Sequence, residues 1–588
     1  MKDWTWDLSV LYQNFDDPKI TQDFDRLKAI CADSDALFEG DDPSAVLEKA
    51  SDAMEEIQRL TDSLGSFANL TLATDATNEQ AQQQMDRIMV FSVQLSLLYS
   101  RLVRYIGQVD DLQGRIQKSE KLQKIDFFLL KAQEESKHLM DPAIEEWMLK
   151  MSLTGGEAFS TLRDKLDATL MVDYRGEQLP LASVRNKAYD PDPQVRKDAY
   201  EAELAAYAKI EIPMAACLNG IKGEGLTQIE AKHFDSILDE TLFNSNMDRE
   251  TLEAMLTAIR ESLPAFRRYL RKKGELLGHL NGIPFYDLFA PIAAPGYVPK
   301  TYTIEEAREK LLTEMGKFTP DMAAFIDHAF ENRWIDVYPR EGKGGGAFCA
   351  GLHALDQSRV LTNFAGSFSD VSTLAHELGH AWHNRCMAGL PSVMIDAPMP
   401  LAETASIFNE TLLANAAMGQ AEKKERFSLL EGNLMETTQT IVDIYSRYLF
   451  ETAVIEQRKD HTLSVGELKA LMLDAQAQSY GDGLDPDLRH PYMWACKSHY
   501  YIPGYAFYNF PYAFGQLFGV GMFAQYQKEG AAFVPKYNRL LRSCGSMMVA
   551  DVAASVGIDV RSPDFWRASL KVYEKEIEEF IALADELM

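Results

Sequence analysis

Cysteine is scarce in this chain, 6 in 588 residues, and Cys31, Cys217, Cys349, Cys386, Cys496 and Cys544 include no Cys-x-x-Cys pair. That excludes a disulfide scaffold and a structural zinc knot, and thiols so scattered fit a reducing cytoplasm. Long apolar runs are missing as well. No window approaches the roughly 18 apolar residues of a membrane span. The opening Met-Lys-Asp-Trp-Thr-Trp-Asp has no basic stretch leading into an apolar core, so neither membrane insertion nor secretion is expected. Positive charge is also short. Lys and Arg number 59 against 88 Asp and Glu, a net charge of −29, which argues against nucleic acid or an anionic membrane as partner and mildly favours cationic peptides. Repeats, low-complexity tracts and long linkers are absent, and no feature specifies an oligomeric state. The Asp-Pro-Asp-Pro within 189–195 punctuates the chain best and predicts an N-terminal helical domain over 1–190 and a catalytic domain over 191–588.

What is present is ample material for a large core, with 46% hydrophobic and 25% charged residues. The windows 46–61, 78–107, 194–209 and 426–456 place apolar residues at helical spacing with no internal proline. Alternating strand-like runs are few, so a mainly α protein is expected.

Residues 376–380 read His-Glu-Leu-Gly-His. Two histidines four apart share one helix face with about 6 Å of rise between them, so both imidazoles reach one metal ion. Glu377 projects beside them, placed to take a proton from a water that zinc makes acidic, with a pKa near about 7. Val371, Leu374, Ala375, Leu378, Ala381 and Trp382 form an apolar, helix-compatible background, and Ser372 or Thr373 is the expected cap. His383 continues the same face but would crowd His380 as a ligand, so it is expected to support the site rather than bind metal.

A catalytic zinc needs a third protein ligand and one open position. The metzincin pattern would put Gly at 383 and His at 386, where this chain has His383 and Cys386, and that class is excluded. Between 381 and 402 the one acid is Asp396, and Glu403 is the first Glu, 403 − 380 = 23 positions after the second histidine. Glu403 and Glu410 are seven apart, two helical turns, and share a face. One of them can bind the metal while the other holds a histidine ring by its free N–H.

Two further segments carry chemistry. Gly342-Lys-Gly-Gly-Gly-Ala-Phe-Cys lacks the order of a phosphate loop; its glycines leave backbone groups open, which suits an edge strand that pairs with an extended peptide through Gly345, Gly346, Ala347 and Phe348. The segment His499–Tyr512 packs one His and five Tyr into fourteen positions. A phenol or imidazole donor beside a metal can stabilise the oxyanion of peptide hydrolysis.

In combination, His376-Glu-Leu-Gly-His380-Ala-Trp-His383 with Glu403 and Glu410 resembles the thimet oligopeptidase and oligoendopeptidase F family of zinc metallopeptidases. The run Tyr338-Pro-Arg-Glu-Gly-Lys-Gly-Gly-Gly-Ala-Phe-Cys, then Leu361-Thr-Asn-Phe and Asp370-Val-Ser-Thr-Leu, is similar to that family's approach to the zinc helix. Trp6-Asp-Leu-Ser-Val-Leu-Tyr12 and Gly557-Ile-Asp-Val-Arg-Ser-Pro-Asp-Phe-Trp566 resemble oligoendopeptidase F in particular, so the similarity spans essentially the whole chain. The resemblance implies a two-lobed helical zincin-type metallopeptidase enclosing a deep substrate channel, with a small β-sheet near the zinc helix and cleavage of short unstructured peptides. It implies one Zn2+ per chain on His376, His380 and Glu403, with Glu377 as base and Glu410 behind a histidine. The family's His, Gly-Tyr and Tyr positions match His499, Gly504-Tyr505 and Tyr512, which implies His499 and Tyr512 as transition-state donors and Tyr505 as a substrate contact. Asn509 stands where other members have a tyrosine, and Tyr508 is the alternative for that contact.

These features predict a zinc-dependent endopeptidase acting on oligopeptides. A peptide-binding protein on the same scaffold would have no chemical need for Glu377. A carboxypeptidase-like use of the site would need a cation for the substrate carboxylate, for which Arg340, Lys343 and Lys497 are candidates.

Overall fold

A capping Asp or Ser followed by proline opens Pro18–Ala32, Pro43–Thr74, Pro193–Lys232 and Pro563–Leu587. The cap oxygen takes one of the unpaired N–H groups of the first turn, and proline there has no N–H to waste. The computed structural model describes residues 4–588, and it is mainly helical. The four helical windows fall on helices 43–74, 79–107, with Asn78 as its cap, 193–232 and the nearly continuous 423–458. The last is interrupted by one wide π turn at Gln439–Asp443. The Asp-Pro-Asp-Pro segment is a helix start: Asp192 caps the helix that begins at Pro193.

The chain forms two compact units, each assembled from three stretches. The first comprises the described part of 1–139 with 299–417 and 522–557; the second comprises 140–298, 418–521 and 558–588. Residue 190 lies within the second unit.

In the first unit the three-stranded sheet runs Ile335–Asp336, Gln357–Leu361, Phe348–Leu352 in spatial order, the first pair parallel and the second antiparallel. Strand side chains alternate between faces, and here the alternation divides two environments. Phe348, Ala350, Leu352 and Leu361 pack with Trp6, Leu11, Tyr12, Phe67 and Leu70, which gives the Trp6–Tyr12 segment its place in the core. Cys349 and Ser358 take the other face, where Asn384 of helix Phe368–Cys386 reaches them, its Nδ2 donating to Ser358 Oγ at 3.2 Å. The helix carrying the two histidines thus rests on the small sheet expected beside it.

In the second unit helices Arg249–Leu276 and Pro563–Leu587 pack together. A separate core gathers Tyr207, Met214, Leu218, Phe450, Val454, Trp494 and Tyr501. Buried ion pairs Arg196–Asp287 at 2.7 Å and Lys222–Glu451 at 2.6 Å tie its long helices to neighbouring segments.

Candidate metal centre and aromatic cluster

Helix Phe368–Cys386 starts four residues before the expected caps. Ser367 accepts from Asp370 N while Asp370 accepts from Ser367 N, a reciprocal capping box. Ser372 and Thr373 lie inside the helix, because the first apolar-periodic residue, Val371, is already in its second half-turn.

From this helix His376 and His380 project together, their Nε2 atoms 3.2 Å apart. Glu403, at the start of helix Thr404–Gln420, brings Oε2 to 3.3 Å from each of those nitrogens. Four zinc ligands at about 2.0–2.1 Å in tetrahedral array stand about 3.3–3.4 Å apart, so this triangle has the edge lengths of a zinc site with one position left open. Two nitrogens and one carboxylate also suit zinc better than the all-oxygen demand of calcium or magnesium. Among the described residues these three are the one such cluster. Asp396 is not part of it.

The surrounding bonds aim the ligands. Glu410 Oε1 lies 2.9 Å from His376 Nδ1; with the proton on Nδ1, Nε2 keeps its lone pair for a cation. Ser406 Oγ donates to Glu403 Oε2 at 2.7 Å. Burial would lower the His376 pKa, but hydrogen bonds to Glu403 and Glu410 outweigh it and push the ring up to about 10. Burial likewise opposes ionisation of Glu403, yet His376 and His380 hold its carboxyl far below the usual range. Both shifts report one thing: the acids create a strongly cation-seeking point. Glu377 is buried beside it, and burial raises its pKa against the pull of the two histidines.

Two residues that sequence reasoning passed over set the spacing between the helices. A Cβ built on Gly379 would lie 2.5 Å from Ala405 O and 2.7 Å from Ser406 Cα, so only glycine lets the 404–420 backbone come this close. Asn409 Nδ2 bonds Ala375 O at 3.2 Å across the same contact. The signal for Gly379 was in view: a glycine inside an otherwise apolar helical run. His383 is buried; its Nε2 meets Leu541 O at 3.1 Å, and burial, then the charge of His380, lowers its pKa to about 4.

The glycine-rich segment 342–347 is a turn, and the strand begins at Phe348. Among the described residues, Phe348–Leu352 pairs on one side alone, which makes it an edge. Gly346 needs its glycine, with φ of +78°. Asn363, another residue not singled out beforehand, shapes the turn by donating Nδ2 to Gly344 O at 3.0 Å and Gly346 O at 2.8 Å. Arg340 and Lys343 are both spent on Asp336, Arg340 through two bonds of 2.6 and 2.9 Å and Lys343 at 2.7 Å with its side chain fully buried.

His499, Tyr505, Tyr508 and Tyr512 belong to the second unit and form a cluster of their own. Tyr508 stacks on His499 with centroids 5.3 Å apart, Tyr505 meets Tyr508 edge-on at 5.3 Å, and Tyr512 Oη lies 3.5 Å from His499 Nε2. Burial, then Arg447 and Lys497, hold His499 down to about 4, so the ring is neutral at pH 7. Its Nδ1 is buried with no hydrogen-bond partner. Asn509 faces elsewhere: it is buried, and its Nδ2 donates to Glu451 at 2.8 Å. Tyr508, beside His499, is the more exposed of the two.

Comparison with known proteins points one way. The model of peptidase family M3 matches residues 187–572, and that of oligopeptidase F matches 109–171. Oligopeptidase PepF of Bacillus subtilis is 25% identical over 90% of this chain and 78% of its own length. A crystal structure from Chlamydophila abortus superposes with a TM-score of 0.81 at 22% identity, covering 99% of this chain and 98% of that one. Oligoendopeptidase F from Enterococcus faecium superposes with a TM-score of 0.70 at 19% identity, covering 96% and 100%. No described helix is long and apolar enough to cross a membrane.

Proposed function

This chain belongs to peptidase family M3, and from that premise we propose that it hydrolyses internal bonds of short, unstructured peptides with one zinc ion on His376, His380 and Glu403. It is a metalloendopeptidase. The observation that carries the zinc assignment is the triangle of ligand atoms with edges of 3.2, 3.3 and 3.3 Å. Zinc, when bound, supplies positive charge that polarises a carbonyl and makes water acidic near neutral pH.

The chain's own residues do the rest. Glu377, next to His376 on the same helix and shielded from solvent, takes the proton of the attacking water and passes it to the departing amine. Glu410 keeps the His376 ring in the tautomer that leaves Nε2 free. Tyr512 and His499 donate O–H and N–H to the oxyanion that forms as water adds, a bond absent from the ground state. Tyr505 and Tyr508 position the peptide, and Gly345, Gly346, Ala347 and the edge strand from Phe348 pair with its backbone. An enclosed channel in a two-lobed protein is part of the proposal, since it spares folded proteins. So is a functional division into 1–190 and 191–588, the latter holding every residue assigned here. The six unpaired thiols support a cytoplasmic location.

For a carboxypeptidase-like use, Arg340 and Lys343 are already engaged by their shared partner Asp336, which leaves Lys497 as the remaining candidate cation. The test is a mixed peptide library incubated with purified protein, with and without a chelator, and read by mass spectrometry. Internal cleavage that stops with chelator is expected, as is sparing of a compact protein whose denatured form is cut. Chelator-resistant cleavage, or rapid cutting of the compact form, overturns the proposal.

A further inference from the structure

Lys497, the third cation singled out in the sequence, has no carboxylate partner among the described residues, whereas the other two share Asp336. It lines a cavity of about 340 Å³ within the second unit, walled by Tyr189, Tyr200, Tyr286 and Phe289 and closed on one side by Gln439 of the π turn. Charges around this cavity pair off. Arg196 takes Asp287 at 2.7 Å, Arg185 takes Glu203 at 3.2 Å, and Arg447 takes Asp443 at 2.7 Å with Tyr480 on the other oxygen at 3.2 Å. The two acids whose fields reach Lys497, Asp443 and Glu203, are thus already engaged. No described carboxylate pairs with its ammonium, and one positive charge is left over.

An unpaired ammonium in a poorly hydrated place is costly unless an anion joins it or the proton leaves. Burial and the neighbouring Arg447 do pull the Lys497 pKa down. The volume lies in the range of small-molecule pockets, about 300–1,000 Å³, and such sites combine aromatic walls with a few polar groups; here Arg185, Arg196 and Glu203 also line the cavity but are paired, so Lys497 is the charge left for a ligand.

We propose that this cavity binds a small carboxylate carried on an aromatic body, with Lys497 taking the charge and Tyr189, Tyr200, Tyr286 and Phe289 taking the ring. The shared chemistry fits two sources, the C-terminal residue of a peptide and a free aromatic acid. None of the residues assigned to hydrolysis lines the cavity, although Lys497 stands two positions before His499 and its charge acts on that ring; the site needs no metal.

Titration calorimetry on the full chain tests it with N-acetyl-L-phenylalanine, its amide, and 3-phenylpropionate. The acid should bind saturably at millimolar concentration and at least about tenfold more tightly than the amide, a factor worth about 1.4 kcal/mol. Lys497→Met should bring acid and amide to equal affinity, and Lys497→Arg should keep the preference. Tyr189→Ala, at a half-exposed wall position, should weaken acid and amide alike. Tighter binding of the acetylated residue than of 3-phenylpropionate identifies a peptide end, and equal binding identifies aromatic acids in general. Absence of saturable binding, equal affinity for acid and amide in the unaltered protein, or a preference that survives Lys497→Met overturns the proposal.

Discussion

The metal centre and the aromatic cluster are built on opposite terms. At the metal centre two of the three ligands are held from outside the triangle, His376 by Glu410 and Glu403 by Ser406, and the two helices are held by Asn409 and the close pass at Gly379. Its charges are strong, opposed and nearly complete. In the His499–Tyr512 cluster the rings hold one another by stacking, the Tyr512–His499 contact is long at 3.5 Å, and His499 Nδ1 has no partner. One region is finished except for a cation; the other is held by ring packing and a long contact. Rigid charge suits a place where an ion must be gripped, and loosely held donors suit a place where charge appears only in passing.

Substitutions sharpen that contrast, and the largest effect falls on the finished region. Glu403→Ala removes one of three ligands, so metal analysis should find the purified protein depleted of zinc and peptide cleavage reduced to background. A variant that kept its zinc would return Asp396 to candidacy. Glu377→Gln preserves shape and metal but removes the base, and peptide turnover should fall at least about 10²-fold with zinc content unchanged. Tyr512→Phe breaks into the second region: a loss of about 2.7–4 kcal/mol in transition-state stabilisation, seen mainly in kcat, is expected for a lost oxyanion donor. If kcat stays within about twofold, or 0.5 kcal/mol, Tyr512 is a packing residue and the contrast fails. Glu410→Ala leaves the three ligands and frees the His376 ring, for which competition with a chelator should show about 10–100-fold weaker metal binding.

The smallest effect concerns pH. His383 has its folded pKa lowered from 6.5 to about 4 by burial. Above pH 6.5 the ring is neutral folded or unfolded and contributes no slope. As pH falls from 6.5 toward 4 the unfolded chain binds the proton first, so stability declines, by at most about 1.4 kcal/mol per pH unit for one group. Urea midpoints measured across that window for His383→Leu should show a shallower decline than the unaltered protein. An unchanged slope would mean that His383 does not titrate differently on unfolding.

The same contrast governs how much was legible beforehand. The helices were plain from apolar spacing, and His376, Glu377, His380 and the Glu403/Glu410 pair from helical periodicity, because a local period of 3.6 fixes which residues share a face. The Ser367 cap was missed because the helix starts with Phe368-Ser-Asp, ahead of the periodic apolar run. Asn409, Asn363 and Ser406 were missed because an amide or hydroxyl in a sequence gives no sign of the carbonyl or carboxylate it will meet across a tertiary contact. Asp336 is the sharpest case. Nothing local marks it as the acid that Arg340 and Lys343 share, yet that pairing leaves Lys497 as the one of the three cations without a carboxylate.

The pass at Gly379 has a consequence for how such a site changes over time. Glu403 reaches the histidines because two helices touch at one glycine, not because 23 residues separate it from His380. The segment 387–402 is held at Met387, Met394 and Leu401, which are buried, and at Ser392, which bonds Glu55, so changes in its length fall on exposed points such as Gly389 and Asp396 while the glycine keeps the helices in contact. A two-helix fragment carrying this contact is also the smallest piece that a designer would need to transplant the centre into another scaffold.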